Sequence, residues 1–136
     1  MAQTFTLDAS GSARRFLKKT AKRLKDFRPA LKDVEAVQLK EIKKQFTTQG
    51  TALVGGKWKK RKGKGSWPIL NKTGKLKKSF KKSKLTKTEL DVTSKIPYFK
   101  YHQLGTKKMP KRQILGWSSG LITKTTNILM KYIIKR

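Results

Sequence analysis

Apolar residues recur at three- and four-residue intervals in three stretches of this chain, and each stretch predicts a helix with one buried side. In the first, Ala13, Phe16, Leu17, Ala21, Leu24 and Phe27 share a side, while Arg14, Arg15, Lys18, Lys19, Lys22, Arg23 and Lys25 cover the remainder. Ser10-Gly11-Ser12 precedes it, and either serine suits a helix cap. Pro29 ends this helix and fits the first turn of a second, from about Ala30 to Thr47, where Leu31, Val34, Leu39, Ile42 and Phe46 form a broad face. The connection is short, so the two helices are expected to be antiparallel neighbours. The third stretch closes the chain from Ser118 to Lys135, with Leu121, Ile122, Ile128, Leu129, Tyr132 and Ile133 along one arc.

A two-residue period appears elsewhere. Gln3 to Asp8 alternates with Phe5 and Leu7 on one face, and predicts a short half-buried strand. Lys81–Leu85 and Glu89–Ser94 predict a hairpin around Thr86-Lys87-Thr88, with Leu85, Leu90 and Val92 pointing inward. Just before it, Thr73 is expected to cap a short helical turn that brings Leu76 and Phe80 to the same side. Just after it, Tyr98, Tyr101 and His102 share one side of another turn, which Gly105 ends. Pro110 to Trp117 then predicts a strand with Ile114 and Leu115 at its centre. The expected fold is α+β in a single domain over 1–136: an N-terminal antiparallel helix pair, a small antiparallel β-sheet and a C-terminal helix. Residues 48–66 interrupt it with a basic stretch rich in glycine and lysine and free of acids, expected to be a mobile loop.

Charge changes the picture most. Lysine and arginine number 36 against 7 acids, a formal net charge of +29. Such self-repulsion calls for counter-anions, either nucleic acid or an acidic protein surface. Sixteen of the basic residues lie between Ile42 and Thr88, where no acid occurs. Lys57, Lys59, Lys60, Arg61, Lys62 and Lys64 are the candidates for contact with DNA or an acidic partner. Trp58 and Trp67 lie within and beside this run, as core or interface anchors or as platforms on which bases stack.

Catalytic chemistry finds little support. Cysteine is absent and histidine occurs once, which removes thiolate sites and makes zinc improbable. A Ser–His–acid set would have to bring His102 beside Ser79 or Ser94 without any nucleophile motif to guide it. Gly63-Lys64 lacks both the upstream glycine and the following Ser or Thr of a phosphate-binding loop. No enzymatic activity, metal or cofactor is therefore expected. Neither a secretory signal nor an apolar run of the roughly 18 residues that spans a bilayer is present. The expectation is a soluble, intracellular protein, at least when it is made, with no membrane partner.

Three motifs in order carry a family resemblance. Ile69-Leu70-Asn71-Lys72-Thr73-Gly74-Lys75-Leu76-Lys77-Lys78-Ser79 is similar to the I-L-x-x-T-G-x-L-x-x-S block of the virion morphogenesis, or tail completion, family of Mu-like tailed phages. Tyr98 to Gly105 resembles its Y-A-x-x-H-Q-x-G, and Pro110 to Gly116 its P-x-R-P-F-L-G; Gly56-Lys57-Trp58 is similar to its G-x-x-W. Phe99, Gln113 and Ile114 depart from those patterns. The resemblance covers about Gly55 to Gly116. It marks Thr73, Gly74, Leu76, Ser79, Tyr98, His102, Gln103, Gly105, Pro110, Arg112, Leu115 and Gly116 as architectural residues. It implies a structural virion subunit at the head–tail junction or tail end, a homo-oligomeric ring joined to other neck or tail proteins, whose positive charge would line a channel for the packaged DNA or face an acidic neighbour. The alternative from the residues alone is a small basic DNA- or RNA-binding protein without catalytic activity.

Overall fold

Phe46 is the centre from which the fold is best followed. In the computed structural model, which describes residues 11–51 and 56–135, its ring is 1 % exposed. Trp58 meets it edge-on at 5.5 Å, Phe80 lies 6.1 Å away, and Phe99 meets Phe80 edge-on at 5.2 Å. These rings come from four separate segments, so one aromatic ladder ties the chain together; such pairs add stability beyond the area they bury. Ile42, Leu76 and Ile114 complete the buried cluster, with Leu39, Ile69, Val92 and Leu115 packed against it.

The elements run α1 (Gly11–Leu24), α2 (Arg28–Thr47), α3 (Lys75–Ser79), β1 (Phe80–Leu85), β2 (Leu90–Ser94), α4 (Phe99–Leu104) and α5 (Ser119–Ile134). The α+β class stands: two N-terminal helices, a two-stranded antiparallel sheet and a C-terminal helix. The expected strand at Gln3–Asp8 and the capping role of Ser10 lie outside the described residues.

Pro29 sits in the first turn of α2 as expected. No side chain caps this helix at its formal cap position, Phe27. Instead Asp26 accepts the Arg28 backbone N–H at 3.0 Å and grips the Arg28 guanidinium. These hydrogen bonds hold the Asp26 carboxyl down at about 2. Ala30, Val34, Ile42 and Phe46 bury one side of α2. Gln45 lies on that same side and is 1 % exposed.

The helix pairing differs from expectation. Both α1 and α2 pack on α5, and α1 makes its main contact there rather than with α2. A tether explains the difference. Tyr132 of α5 donates its hydroxyl to the Asp26 carbonyl at 2.7 Å, its ring lies 6.0 Å from Phe27, and Phe27 N–H donates to Lys87 O. The connection between the helices is thus pinned to the C-terminal helix and the hairpin turn. Arg23 donates to the last carbonyls of α5, Ile133 and Lys135, where the helix dipole favours a cation. Lys124 reaches Glu41 at 2.8 Å and fastens α5 to α2.

The hairpin pairs Phe80 with Ser94 and Leu85 with Leu90, with a bulge between Lys82 and Lys84. Its turn has no glycine. The Thr86 hydroxyl accepts the N–H groups of Thr88 and Glu89, and the Thr86 N–H donates to Glu89 O at 2.9 Å. Threonine thus supplies locally the partners that a glycine turn would leave to the backbone.

Ser118 caps α5 by accepting Leu121 N–H at 3.1 Å. Thr73 was expected to do the same for α3. The cap position is instead Gly74, left-handed at φ 71°, and Thr73, one residue earlier, accepts the Lys75 N–H only at a long 3.5 Å. Leu76 and Phe80 are nonetheless brought into the core, at 3 % and 7 % exposure.

Candidate functional site

The segment expected as a strand, Pro110–Trp117, has no strand partner. Its buried backbone still needs hydrogen bonds, and side chains supply them. Gln103 Oε1 accepts the N–H of Ile114 at 2.9 Å and of Leu115 at 3.0 Å, while its Nε2 donates to Leu115 O at 2.7 Å. One amide thereby does what a neighbouring strand would do. On the other side, Trp58 Nε1 and Gln45 Nε2 both donate to Gln113 O, at 2.9 and 3.0 Å. Ile114 is left 1 % exposed in the apolar cluster with Ile42, Phe46 and Phe80 while these amides serve the backbone on either side of it; the buried Gln45 Oε1 has no partner among the described residues.

Helix α4 aims Gln103 at this segment because Gly105 turns the chain back. Gly105 has φ 75° and ψ 166°, a region essentially reserved for glycine. A Cβ there would lie 2.9 Å from Lys111 N and 3.1 Å from Lys111 Cα. The close return lets Arg112 N–H donate to His102 O at 2.8 Å. Arg112, 7 % exposed, then reaches across to Lys59 O at 3.0 Å and Lys60 O at 3.3 Å.

The family-motif residues therefore divide into groups. Gln103, Gly105, Arg112 and Leu115 converge on one node, and Trp58 joins them. Thr73, Gly74, Leu76 and Ser79 form the turn and short helix that lead into β1. Ser79 donates to Leu76 O and shares a hydrogen bond with Ser94, which itself accepts Ile96 N–H. Ser79 and Ser94 are thus hydrogen-bonded to each other and to backbone, an arrangement suited to closing the sheet. Tyr98 is 45 % exposed and stands perpendicular to the His102 ring, with centroids 6.0 Å apart. Burial, and then the Arg112 charge, push the His102 imidazole below its ordinary value, so that its neutral form prevails. Pro110 and Gly116 flank the clamped segment at intermediate exposure.

The two tryptophans expected as core or interface anchors separate. Trp58 is 4 % exposed and belongs to the core of its own chain; its ring faces Phe46 and its N–H is engaged, which selects the core alternative over the interface one and removes it as a stacking platform. Trp67 keeps 38 % exposure, with the Arg61 guanidinium 4.7 Å and the Lys72 ammonium 4.6 Å from its ring centroid. Lys57, Lys59, Lys60, Lys62 and Lys64 are exposed, and Arg61 is half-buried against Trp67.

Sequence reasoning missed Gln45 and Gln49. Gln49 takes φ 52°, donates to Phe46 O and accepts Ile69 N–H at 2.9 Å, while its own carbonyl accepts Trp58 N–H. For Gln45 the signal was present, since an amide between Ile42 and Phe46 interrupts an otherwise apolar face. Among the described residues no cluster of His, Cys, Asp or Glu suited to a metal occurs, and no helix is long and apolar enough to cross a membrane. A family model, that of the phage virion morphogenesis family, matches residues 9–133. No curated protein and no solved structure matches the chain.

Proposed function

Since the chain belongs to the phage virion morphogenesis family, and so serves in building a phage particle, we propose that it acts at the head–tail junction or tail end as one copy in a closed ring. The observation that carries this reading is the apolar surface left on the two terminal helices. α1 buries no residue at all; Phe16, Leu17 and Leu24 remain 38 %, 58 % and 51 % exposed. On α5, against which α1 packs, Ile122, Met130 and Ile134 are also at least half exposed. Apolar residues grouped in this way mark an association surface.

The acids favour contact between unlike faces. Those of the described residues lie at the α1–α2 connection, on α2 and in the hairpin, whereas α1 carries only basic charge. A basic helix of one copy set against the acid-bearing side of the next is a heterologous contact, which closes into a ring when the rotation allows it. The role is structural, and neighbouring neck or tail proteins would meet the two faces of the ring.

Mass measurement by light scattering, together with cryo-EM of purified particles, tests the reading. The expected result is a closed oligomer that Leu17→Asp weakens, and density for the subunit at the neck or tail end. A protein that stays monomeric at particle-assembly concentrations and is absent from both places overturns it.

A further inference from the structure

Two basic segments far apart in sequence meet beside the Arg112 node. Lys59, Lys60 and Lys62 come from one, and Lys107 and Lys108 from the other, across a concavity of about 490 Å³. Arg112 lies beneath and holds the Lys59 and Lys60 carbonyls, so the backbone of the first arm is turned inward while its lysines stay exposed. The second arm is a closed turn. Thr106 N–H donates to Met109 O at 2.9 Å, and the Thr106 hydroxyl accepts the N–H groups of Lys108 and Met109. Both arms are fixed by hydrogen bonds rather than hung on free chain.

Among the described residues, no acid lines this hollow. The chain carries none between Glu41 and Glu89, and none after Asp91. The ion-paired carboxylates Asp26, Glu35, Glu41 and Glu89 hold Arg28, Lys82, Lys124 and Lys84, all outside the cluster. The Arg112 guanidinium is pushed below its ordinary value by burial and then by the Arg61 charge, consistent with an uncompensated positive field. A pre-shaped set of cations without a counter-charge fits a dense row of anions.

We propose that this hollow is a sequence-independent binding site for the phosphate backbone of double-stranded DNA, contacted by Lys59, Lys60, Lys62, Lys107 and Lys108. Duplex is favoured over single strands because the site offers nothing to stack on. The hollow has no aromatic lining, Trp58 is enclosed, and the Trp67 ring already has two cations over it. It is favoured over an acidic protein because a duplex presents one charge per roughly 1.7 Å of its axis, which matches lysines spaced along a hollow. The site stands independently of where the protein sits in the particle.

The test is fluorescence anisotropy with a labelled duplex of mixed sequence, titrated against salt. Five lysine–phosphate contacts give a log–log salt slope near about −4.5, and Lys107→Gln/Lys108→Gln reduces it by about 1.8 while weakening binding roughly 10- to 100-fold. Lys75→Gln/Lys78→Gln, exposed on α3 and away from both the hollow and α1, removes the same charge and is expected to cost only a few-fold. Circular dichroism and tryptophan fluorescence confirm that each variant is folded. Equal losses from both pairs overturn the site. So does tighter binding of poly-glutamate with the same dependence on Lys107 and Lys108, which assigns the hollow to an acidic protein. Preference for single strands with sensitivity to Trp67→Ala overturns it as well. Light scattering on the same samples keeps the questions apart: a ring that ignores DNA overturns only this proposal, and a monomer that binds DNA overturns only the ring.

Discussion

Replacing Gln103 by alanine removes three hydrogen bonds at once, and their consequences differ. Leu115 O keeps a partner, because Gln113 Nε2 also donates to it at 3.1 Å. The N–H groups of Ile114 and Leu115 lose the only partner shown for them. An orphaned buried donor costs about 1–3 kcal/mol, so two cost about 2–6 kcal/mol when water cannot reach them. Gln103 itself is half-buried, and truncating it opens a path for water to one of the two. The expected loss is therefore in the lower half of that range, about 2–4 kcal/mol, and a fall in thermal midpoint on the order of 10 °C. Gln103→Glu keeps the one oxygen that accepts both N–H groups but sets its second carboxylate oxygen against Leu115 O, so it is expected to regain stability only when acid protonates that carboxyl and restores a donor. Urea unfolding followed by tryptophan fluorescence measures both, and hydrogen exchange at Ile114 and Leu115 localises the effect. An alanine variant within about 0.5 kcal/mol of the parent, as for an ordinary surface position, refutes the strand-substitute role of Gln103. A glutamate variant that gains nothing on the alanine variant as pH falls through its carboxyl's range refutes it too.

Glycine substitutions rank the turns. Gly74→Ala makes only ordinary contacts, with its nearest neighbours 3.7 Å and 3.9 Å away, and costs only the left-handed backbone, about 1–2 kcal/mol. Gly105→Ala adds collision with the Lys111 backbone and must cost more; thermal melts that reverse this order contradict the close-return geometry. His102 gives a pH signature. Its folded value lies below the ordinary 6.5, so the unfolded chain takes up the proton first as pH falls. Its contribution is complete above about 6.5 and is lost as pH drops through the folded value. Urea midpoints measured across that window should fall with acid more steeply in the parent than in His102→Gln, and parallel curves count against the buried neutral imidazole.

The periodicities that place α2 and α5 were legible because each helix has an apolar side set by its own sequence, with Pro29 and Ser118 marking their starts. The hairpin was legible for the same reason in period two. Pro110–Trp117 was misread because Ile114-Leu115 looks alike whether a strand or a glutamine satisfies its backbone. That choice is made by Gln103, Gln45 and Trp58, which come from three other segments. The cap of α3 was assigned to Thr73 on side-chain chemistry, whereas the left-handed backbone required at the next residue gave the position to Gly74. The hollow could not be read at all. Lys59–Lys62 and Lys107-Lys108 are ordinary basic runs until the Gly105 turn and the Arg112 reach set them face to face.

The tether between Tyr132 and Asp26 also sets the order in which the molecule is completed. The two residues are 106 positions apart, and Arg23 and Ile133 are separated by 110. The helix made first is consequently docked last. At about 5–20 residues per second, α1 leaves the ribosome and waits roughly 5–20 s before its receiving helix exists. Through that interval its apolar stripe is without its intramolecular seat, and an α5 of a neighbour whose own α1 has not docked presents the same surface that its own will later offer. High contact order at the very ends of the chain thus makes exchange of α1 between copies the natural misassembly of this fold, and crowding on one message the condition that promotes it.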